Sequence, residues 1–142
     1  MTSQIKHSVF IADDDEDDRL LLKLAFAQHS PECNLIFAED GLTLLEALAQ
    51  ESTAPCLIIL DLNMPRLNGF EALQQVRHSL AHASVPVVIL TTSNEASDRK
   101  RAYALGANEF LTKPLNLISL GQLVSHLRQQ WHLELCIYTI SG

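Results

Sequence analysis

The sequence predicts an α/β fold, a doubly wound (βα)₅ sandwich around a parallel five-stranded sheet. The first observation is that five short apolar runs alternate with five longer stretches of helical periodicity. The second is the run 57–60, Leu-Ile-Ile-Leu, which is apolar at every position and therefore typical of a strand covered on both faces. The third is that the connections are short, with no linker or internal repeat. These features favour a single domain with helices on both sides of the sheet.

The first half of the chain predicts two strands and two helices. The apolar run 8–12 predicts the first strand. Acidic residues fill the first turn of the helix that follows, 17–28, where they interact favourably with the helix dipole. The run 33–38 predicts the second strand. Asp40 is a suitable N-cap for a second helix, which carries leucines at 44, 45 and 48 on one face.

The second half predicts three more strand–helix pairs. The third strand is 56–60, and the fourth contains Pro86 near its entry, where a backbone donor can be spared. Asn68 is expected to cap the third helix, and Gly106 to end the fourth as its C′ residue. The predicted ranges are a helix at 69–80, a strand at 85–90, a helix at 95–105, a strand at 108–111 and a helix at 117–131.

Composition excludes several classes of protein. The chain has 142 residues, 47% of them hydrophobic, which indicates an ordinary globular domain. Its net charge of −7 argues against nucleic-acid binding, which needs a basic surface. No apolar run approaches the roughly 20 residues of a membrane-spanning helix, and residues 1–7 lack a signal-peptide core. Cys33, Cys56 and Cys136 form no CxxC pair, which favours reduced thiols and a cytoplasmic location.

Charged and hydroxyl residues follow four of the predicted strands. Six consecutive acids, 13–18, follow the first strand, and Asp61 follows the third. Thr91-Thr92-Ser93 follows the fourth, and Thr112-Lys113-Pro114 follows the fifth. Because the carboxyl ends of parallel strands meet at one edge, these groups are expected to converge. Clustered carboxylates need a cation, and Mg²⁺ suits hard oxygen ligands. With the Lys113 ammonium, the set is suited to holding a phosphoryl group on Asp61.

Each feature also has a simpler interpretation. A run of acids is usually a solvated helix start, an aspartate after a strand is often an N-cap, and Lys-Pro is often a turn. An EF-hand fails, because Asp18 stands where the loop needs glycine and Leu24 where it needs the bidentate glutamate. The four features at successive strand ends, taken together, favour the functional interpretation.

With these residues the chain resembles the receiver domain of bacterial two-component signalling, the chemotaxis-type response-regulator fold. Asp13 and Asp14 match the family's acidic pair, and Asp61 lies in a Leu-Asp-Leu-Asn-Met-Pro segment close to the family pattern. The resemblance covers about 9–131. It implies a flavodoxin-like sandwich with strand order 2-1-3-4-5, a receiver domain at 1–131 and an apolar C-terminal extension at 132–142.

The resemblance also implies a role for each site residue. Asp61 would be the phosphoacceptor, assisted by Lys113 and Thr91. Mg²⁺ would be bound by Asp14, Asp61 and the backbone carbonyl of Asn63, with Asp13 acting through water. Thr91 and Phe110 would form the switch, and Asn63 and Ser93 would tune the lifetime of the phosphoryl group. The Lys113–Pro114 bond is often cis in such domains.

The function implied is that of a stand-alone response regulator. It would take a phosphoryl group from a sensor histidine kinase, catalyse only its own phosphorylation and slow dephosphorylation, and signal by association with a protein target that the sequence does not name. The chain is also similar to the small receivers paired with bacterial phytochrome kinases. The basic cluster Arg99-Lys100-Arg101 on the fourth helix is either a partner contact or a solvated face.

Three further points concern the role of the extension and two other possible functions. The extension 132–142 is too apolar to be left in solvent, so it either folds back on its own domain or covers a second copy in a homodimer. A phosphatase resembling haloacid dehalogenases would need a second aspartate two residues after the nucleophile, where Asn63 stands. An unphosphorylated scaffold is the third alternative, and the complete set of site residues argues against it.

Overall fold

The computed structural model describes residues 2–6, 8–135 and 137–141, and it describes side chains for 8–135. Within 8–135, five strands alternate with five helices. The strands are β1 (Ser8–Ala12), β2 (Asn34–Ala38), β3 (Leu57–Leu60), β4 (Val87–Thr91) and β5 (Glu109–Thr112). The helices are α1 (Glu16–His29), α2 (Gly41–Gln50), α3 (Gly69–His78), α4 (Ala96–Ala104) and α5 (Leu117–Gln130). The strands are all parallel, in the spatial order β2-β1-β3-β4-β5, so the predicted order 2-1-3-4-5 is confirmed.

The core consists of two layers, one on each face of the sheet. Every residue of β1, β3 and β4 is buried, as expected for strands covered on both sides. Alternate side chains point to opposite faces, so Ile58 packs under α2 and α3 while Ile59 packs under α1 and α5. The two helical layers leave the carboxyl edge of the sheet uncovered, and that is where the candidate site lies.

The element boundaries follow the capping signals in the sequence. Asp40 caps α2 by accepting a hydrogen bond from the backbone N–H of Thr43 at 2.7 Å. Asn68 caps α3 in a reciprocal capping box with Glu71. Gly106 follows α4 with a φ of 104°, a conformation that favours glycine. The fourth strand begins at Val87 and not at 85 as predicted, because Pro86 has no N–H to enter the ladder.

The two ends of the chain pair with each other. The strands Thr2–Lys6 and Ile137–Ser141 form an antiparallel two-stranded sheet that the sequence pattern does not predict. Between α5 and this last strand, the 3₁₀ turn Leu133–Leu135 places the Leu133 side chain in the core with no exposed surface. The start of the extension therefore packs on its own domain, and its backbone pairing is intramolecular.

The cysteines depart from the expectation of reduced thiols. Cys56 is disulfide-bonded, so the prediction was wrong at that residue. Cys33 keeps a thiol, 3.3 Å from the Ser30 hydroxyl. Sequence spacing alone does not determine which cysteines pair.

Among the described helices, none is both long and apolar enough to cross a membrane.

Arg77 on α3 ties three segments together. Its guanidinium donates to the Gly106 carbonyl at 3.0 Å, the Val85 carbonyl at 2.7 Å and the Asn108 side-chain oxygen at 2.8 Å. Replacing Arg77 by alanine leaves these acceptors without that donor, and we expect the free energy of unfolding to fall by about 2–3 kcal/mol. Urea denaturation measures this, with exposed Gln74→Ala on the same helix as the control. Equal losses in the two variants would contradict the role of Arg77.

Candidate functional site

Asp61 sits directly after β3 and is almost completely buried, with 5% of its surface exposed. Its backbone N–H donates to the Ala12 carbonyl at 3.0 Å, which continues the β1–β3 pairing. The Oδ1 atom accepts from the Leu62 N–H at 2.7 Å, and the Asn63 N–H lies at 3.5 Å. The Oδ2 atom accepts from Lys113 Nζ at 2.7 Å. The carboxylate is thus held by backbone on one oxygen and by an ammonium on the other.

The acidic pair after β1 lies beside Asp61. Asp13 is buried, and its Oδ1 accepts from the Asp15 N–H at 2.9 Å. Asp14 is exposed. One carboxylate oxygen from each of Asp13, Asp14 and Asp61 lies within 4.8 Å of the other two. This donor set of hard oxygens, open to solvent through Asp14, fits a divalent cation such as Mg²⁺.

Lys113, the residue directly after β5, contacts the acidic groups. Its Nζ lies 2.8 Å from Asp13 Oδ2, 2.7 Å from Asp18 Oδ2 and 2.7 Å from Asp61 Oδ2. Burial lowers the pKa of Lys113, but the hydrogen bonds and charges of these carboxylates outweigh it and hold the pKa well above its ordinary value. Lys113 is therefore a permanent positive charge at the strand edge.

The pKa of Asp13 is raised, whereas the pKa of a carboxylate in a simple salt bridge is lowered. Burial raises the pKa of this carboxyl, and the negative charge of Asp61 adds to the increase. The Lys113 ammonium and the Asp15 N–H lower it, but they do not fully offset the desolvation. Independently of this shift, the geometry places the carboxylates of Asp13, Asp14, Asp18 and Asp61 around one lysine, an excess of negative charge that favours a bound cation.

Thr91 and Ser93 lie at the end of β4. Thr91 is buried, its carbonyl accepts from the Lys113 N–H at 2.7 Å, and its hydroxyl lies 3.4 Å from the Ser93 N–H. The Ser93 hydroxyl donates to the Asp98 carboxylate on α4 at 2.7 Å. This hydrogen bond connects the loop after β4 to the first turn of α4.

Phe110 is buried in β5, two strands' width from Asp61. Its backbone N–H donates to the Tyr103 hydroxyl at 3.1 Å. The Arg99 guanidinium lies 5.2 Å from the Phe110 ring centre, and that of Arg101 lies 4.1 Å from the Phe70 ring centre. Two members of the basic cluster therefore make cation–π contacts within the fold. All three residues of the cluster are nevertheless exposed, so the structure leaves both a solvated face and a partner contact open.

The structure brings Asp13, Asp14, Asp61 and Lys113 together as the sequence predicted. It differs from the resemblance at the Lys113–Pro114 bond, since no described peptide bond is cis. The trans form agrees with the intrinsic preference of X–Pro bonds.

Sequence reasoning missed two further residues of this edge. Asp18 reaches Lys113 from α1, and the Arg19 guanidinium donates to the Asp13 carbonyl at 2.8 Å. The run of six acids was the available signal for Asp18, but nothing in it indicates which carboxylate faces the lysine.

Comparison with known proteins places these observations in context. Residues 9–127 match the model of the family described as response regulator receiver domain. Response regulator Rcp1 of Synechocystis sp. is 32% identical over 128 residues, covering 87% of this chain and 87% of that protein. The crystal structure of the phosphorylated cyanobacterial phytochrome response regulator RcpA has a TM-score of 0.82 at 30% identity, covering 90% and 95% of the two chains. The Mn²⁺-bound form of Rcp1 has a TM-score of 0.79 at 32% identity, covering 88% and 94%.

Proposed function

Because this chain belongs to the response regulator receiver domain family, we propose that it accepts a phosphoryl group on Asp61 from the phosphohistidine of a sensor histidine kinase. The observation that carries the proposal is the environment of Asp61. Its carboxylate is buried at a strand end, one oxygen is held by the Leu62 N–H, and the other is held by the Lys113 ammonium beside the acidic pair. A carboxylate held in this way is oriented for attack on an incoming phosphorus atom.

The proposed reaction is a phosphoryl transfer between two side chains. A carboxylate oxygen of Asp61 forms a bond to phosphorus while the phosphorus–nitrogen bond of the phosphohistidine breaks, and the kinase imidazole leaves with the electron pair. Lys113 stabilises the negative charge on the transferring oxygens, which is where most catalysis of such reactions arises. The acyl phosphate is later lost by slow hydrolysis, so the domain catalyses only its own modification.

Mg²⁺ is the proposed cofactor. Asp14, Asp61 and the Asn63 carbonyl would hold it, with Asp13 acting through water. The clustered carboxylate oxygens support this assignment, and the relative Rcp1 has a Mn²⁺-bound form. When bound, the ion supplies positive charge that neutralises the phosphoryl oxygens.

The test is incubation with Mg²⁺ and acetyl phosphate, followed by intact-mass measurement. We expect a phosphate-sized adduct on the wild-type protein and none on Asp61→Asn. An absent adduct on the wild type would favour the scaffold alternative. Rapid turnover of varied phosphoesters would favour the phosphatase alternative. An adduct of equal size on Asp61→Asn would place the phosphoryl group elsewhere.

We propose that readout passes through Thr91 and Phe110. Movement of the buried Thr91 hydroxyl towards the phosphoryl group would break its contact with Ser93 N–H and alter the space beside Phe110. Phe110 is buried and carries no hydroxyl that would need a partner, and Arg99 on α4 lies over its ring. A shift of Phe110 would therefore be transmitted to α4 and change the surface that a protein target recognises.

Asn63 and Ser93 are proposed to set the phosphoryl lifetime. Each lies two residues after a site residue, Asp61 or Thr91, and offers polar atoms to the attacking water. Asn63→Ala and Ser93→Ala are expected to slow decay several-fold without preventing loading. The measurement is decay of the phosphorylated mass after donor removal, with exposed Asn94→Ala as the control. Decay at the wild-type rate in both variants would remove this role.

The similarity to RcpA supports a cognate kinase of the phytochrome group. The proposed location of this protein is the cytoplasm. The cysteines do not support that location, since Cys56 is disulfide-bonded. The acidic surface supports a protein target and no nucleic acid.

The extension 132–142 is proposed to close against its own domain. Buried Leu133 and the pairing of the terminal strands support this arrangement. Deleting 136–142, which retains Leu133, is expected to lower the unfolding midpoint while leaving the molecular size that of a monomer. A light-scattering mass that falls from dimer to monomer on deletion would instead identify the extension as a homodimer contact.

A further inference from the structure

Asp18 is a carboxylate of the site that neither the motif nor the resemblance assigns. It lies in the first turn of α1, and its Oδ2 is 2.7 Å from the Nζ of Lys113, 95 residues away. The side chain of Lys113 is 13% exposed and that of Asp18 is 34% exposed. The pair is therefore at the rim of the site, with the ammonium inside and the carboxylate at the opening.

The three N–H donors of the ammonium match three acceptors. An ammonium group has three donors and no acceptor, and Asp13, Asp18 and Asp61 each accept at 2.7–2.8 Å. Two of these acceptors, Asp13 and Asp61, also belong to the group of carboxylates that could hold a metal ion. Asp18 does not belong to that group, so its interaction with Lys113 does not compete with the proposed cofactor.

Two fixed elements of the fold, β4 and α1, hold Lys113 in place. Its backbone N–H donates to the Thr91 carbonyl at 2.7 Å, which fixes the chain to β4. Its ammonium meets Asp18, whose own backbone N–H is capped by Asp15 at 3.1 Å. Helix α1 is in turn anchored on the sheet by buried Leu22 and Phe26. The carboxylate of Asp18 thus belongs to a fixed element of the fold.

We propose that Asp18 is a positioning residue that keeps the Lys113 ammonium beside Asp61 throughout phosphoryl transfer. This rests on the function proposed above. When an Asp61 oxygen bonds to phosphorus and acetate leaves acetyl phosphate with the electron pair of the broken phosphorus–oxygen bond, Asp61 stops being a free carboxylate. Its attraction for Lys113 weakens at that moment. Asp18, unlike Asp61, is unchanged by the reaction and, unlike Asp13, lies outside the group of carboxylates that could hold the cation, so it retains the ammonium where it contacts the transferred group.

A purely structural ion pair makes a different prediction. If Asp18 had only a structural role, its replacement would change the free energy of unfolding and leave the loading rate unaffected. The matched control is Asp17→Asn. Asp17 is exposed, lies in the same helical turn and carries the same charge, so both substitutions remove one favourable interaction with the helix dipole.

The experiment measures loading of wild type, Asp18→Asn, Asp18→Glu and Asp17→Asn by intact mass, over a series of acetyl phosphate concentrations with saturating Mg²⁺. Because misplacing a catalytic group costs rate more than binding, the limiting rate of Asp18→Asn is expected to be about tenfold lower. The half-saturating donor concentration is expected to stay unchanged. Asp18→Glu should recover most of the rate, and Asp17→Asn should match the wild type.

A second readout follows the lysine itself. In ¹H–¹⁵N spectra of the unphosphorylated protein, the Lys113 ammonium signal should be shifted by Asp18→Asn and not by Asp17→Asn. Wild-type loading in Asp18→Asn would overturn the proposal, as would slow loading with an unmoved lysine signal and no recovery in Asp18→Glu. Failure of the wild type to load at all would instead overturn the proposed function, so the two failures are distinct.

Discussion

Replacing Lys113 by alanine is expected to lower the rate of phosphoryl loading on Asp61 by about 100-fold or more, the effect of removing one fixed charge aimed at a transition state. Lys113 is the cation placed against Asp61 at 2.7 Å, and its raised pKa keeps it charged throughout the usable pH range. Intact-mass kinetics with acetyl phosphate measure the change. Exposed Lys23→Ala on α1 is the control, since it removes the same charge away from the site.

The same substitution should also change stability and metal binding. Without Lys113, Asp13 and Asp61 are left as neighbouring buried carboxylates, and breaking a buried ion pair from one side costs about 3 kcal/mol or more. A cation that replaces the ammonium offsets this cost, so Mg²⁺ should stabilise Lys113→Ala more than wild type. Urea denaturation with Mg²⁺ and with a chelator measures both quantities. Equal Mg²⁺ stabilisation of the two proteins would show that lysine and metal do not share these carboxylates.

Replacing Gly69 by alanine is expected to lower the free energy of unfolding by about 2–4 kcal/mol through overpacking. A Cβ at Gly69 would overlap the carbonyl oxygen of Asp61 and lie 2.7 Å from Leu62 Cα. These are backbone atoms of the segment that carries the phosphoacceptor, and they cannot rotate away as a side chain can. The start of α3 or the segment after β3 must move, so loading of Asp61 should slow as well.

Gly121→Ala is the matched control for Gly69→Ala. A Cβ at Gly121 would meet only the His29 ring, a partly buried side chain that can rotate, and no backbone atom is among the nearest contacts. Alanine is also favoured over glycine inside a helix by about 1 kcal/mol, which offsets the cost at α5. Urea denaturation should therefore find Gly121→Ala near the wild type. Equal destabilisation of the two variants would show that contact with the Asp61 backbone is not the cause.

The fold was predictable because its signals are local. The apolar run of β3 and the caps Asp40 and Asn68 each act within a few residues, and the structure confirms them. The boundaries that shifted did so for local reasons too, as at Pro86. The pairing of the terminal strands was not predictable, since it joins residues at opposite ends of the chain and neither segment carries a periodic signal of its own.

The sequence predicted which residues form the candidate site, but it did not predict all the contacts between them. Because the carboxyl ends of parallel strands meet at one edge, the sequence predicted that Asp13, Asp61 and Lys113 lie together there. The sequence could not show that Asp18 reaches the lysine or that Arg99 lies over Phe110, because these contacts depend on the packing of α1 and α4 against the sheet. It also did not show the disulfide at Cys56.

By itself, then, the sequence determined the alternation of strands and helices, the parallel sheet and the set of residues at its carboxyl edge. It could do so because periodicity and capping depend only on residues close together in the chain. Only the tertiary structure decided which of these charged side chains contact one another. A distance of 2.7 Å between groups 52 or 95 residues apart is set by the packing of whole helices on the sheet. That packing places Lys113 among Asp13, Asp18 and Asp61, and so assigns the first-turn carboxylate of α1 to the site.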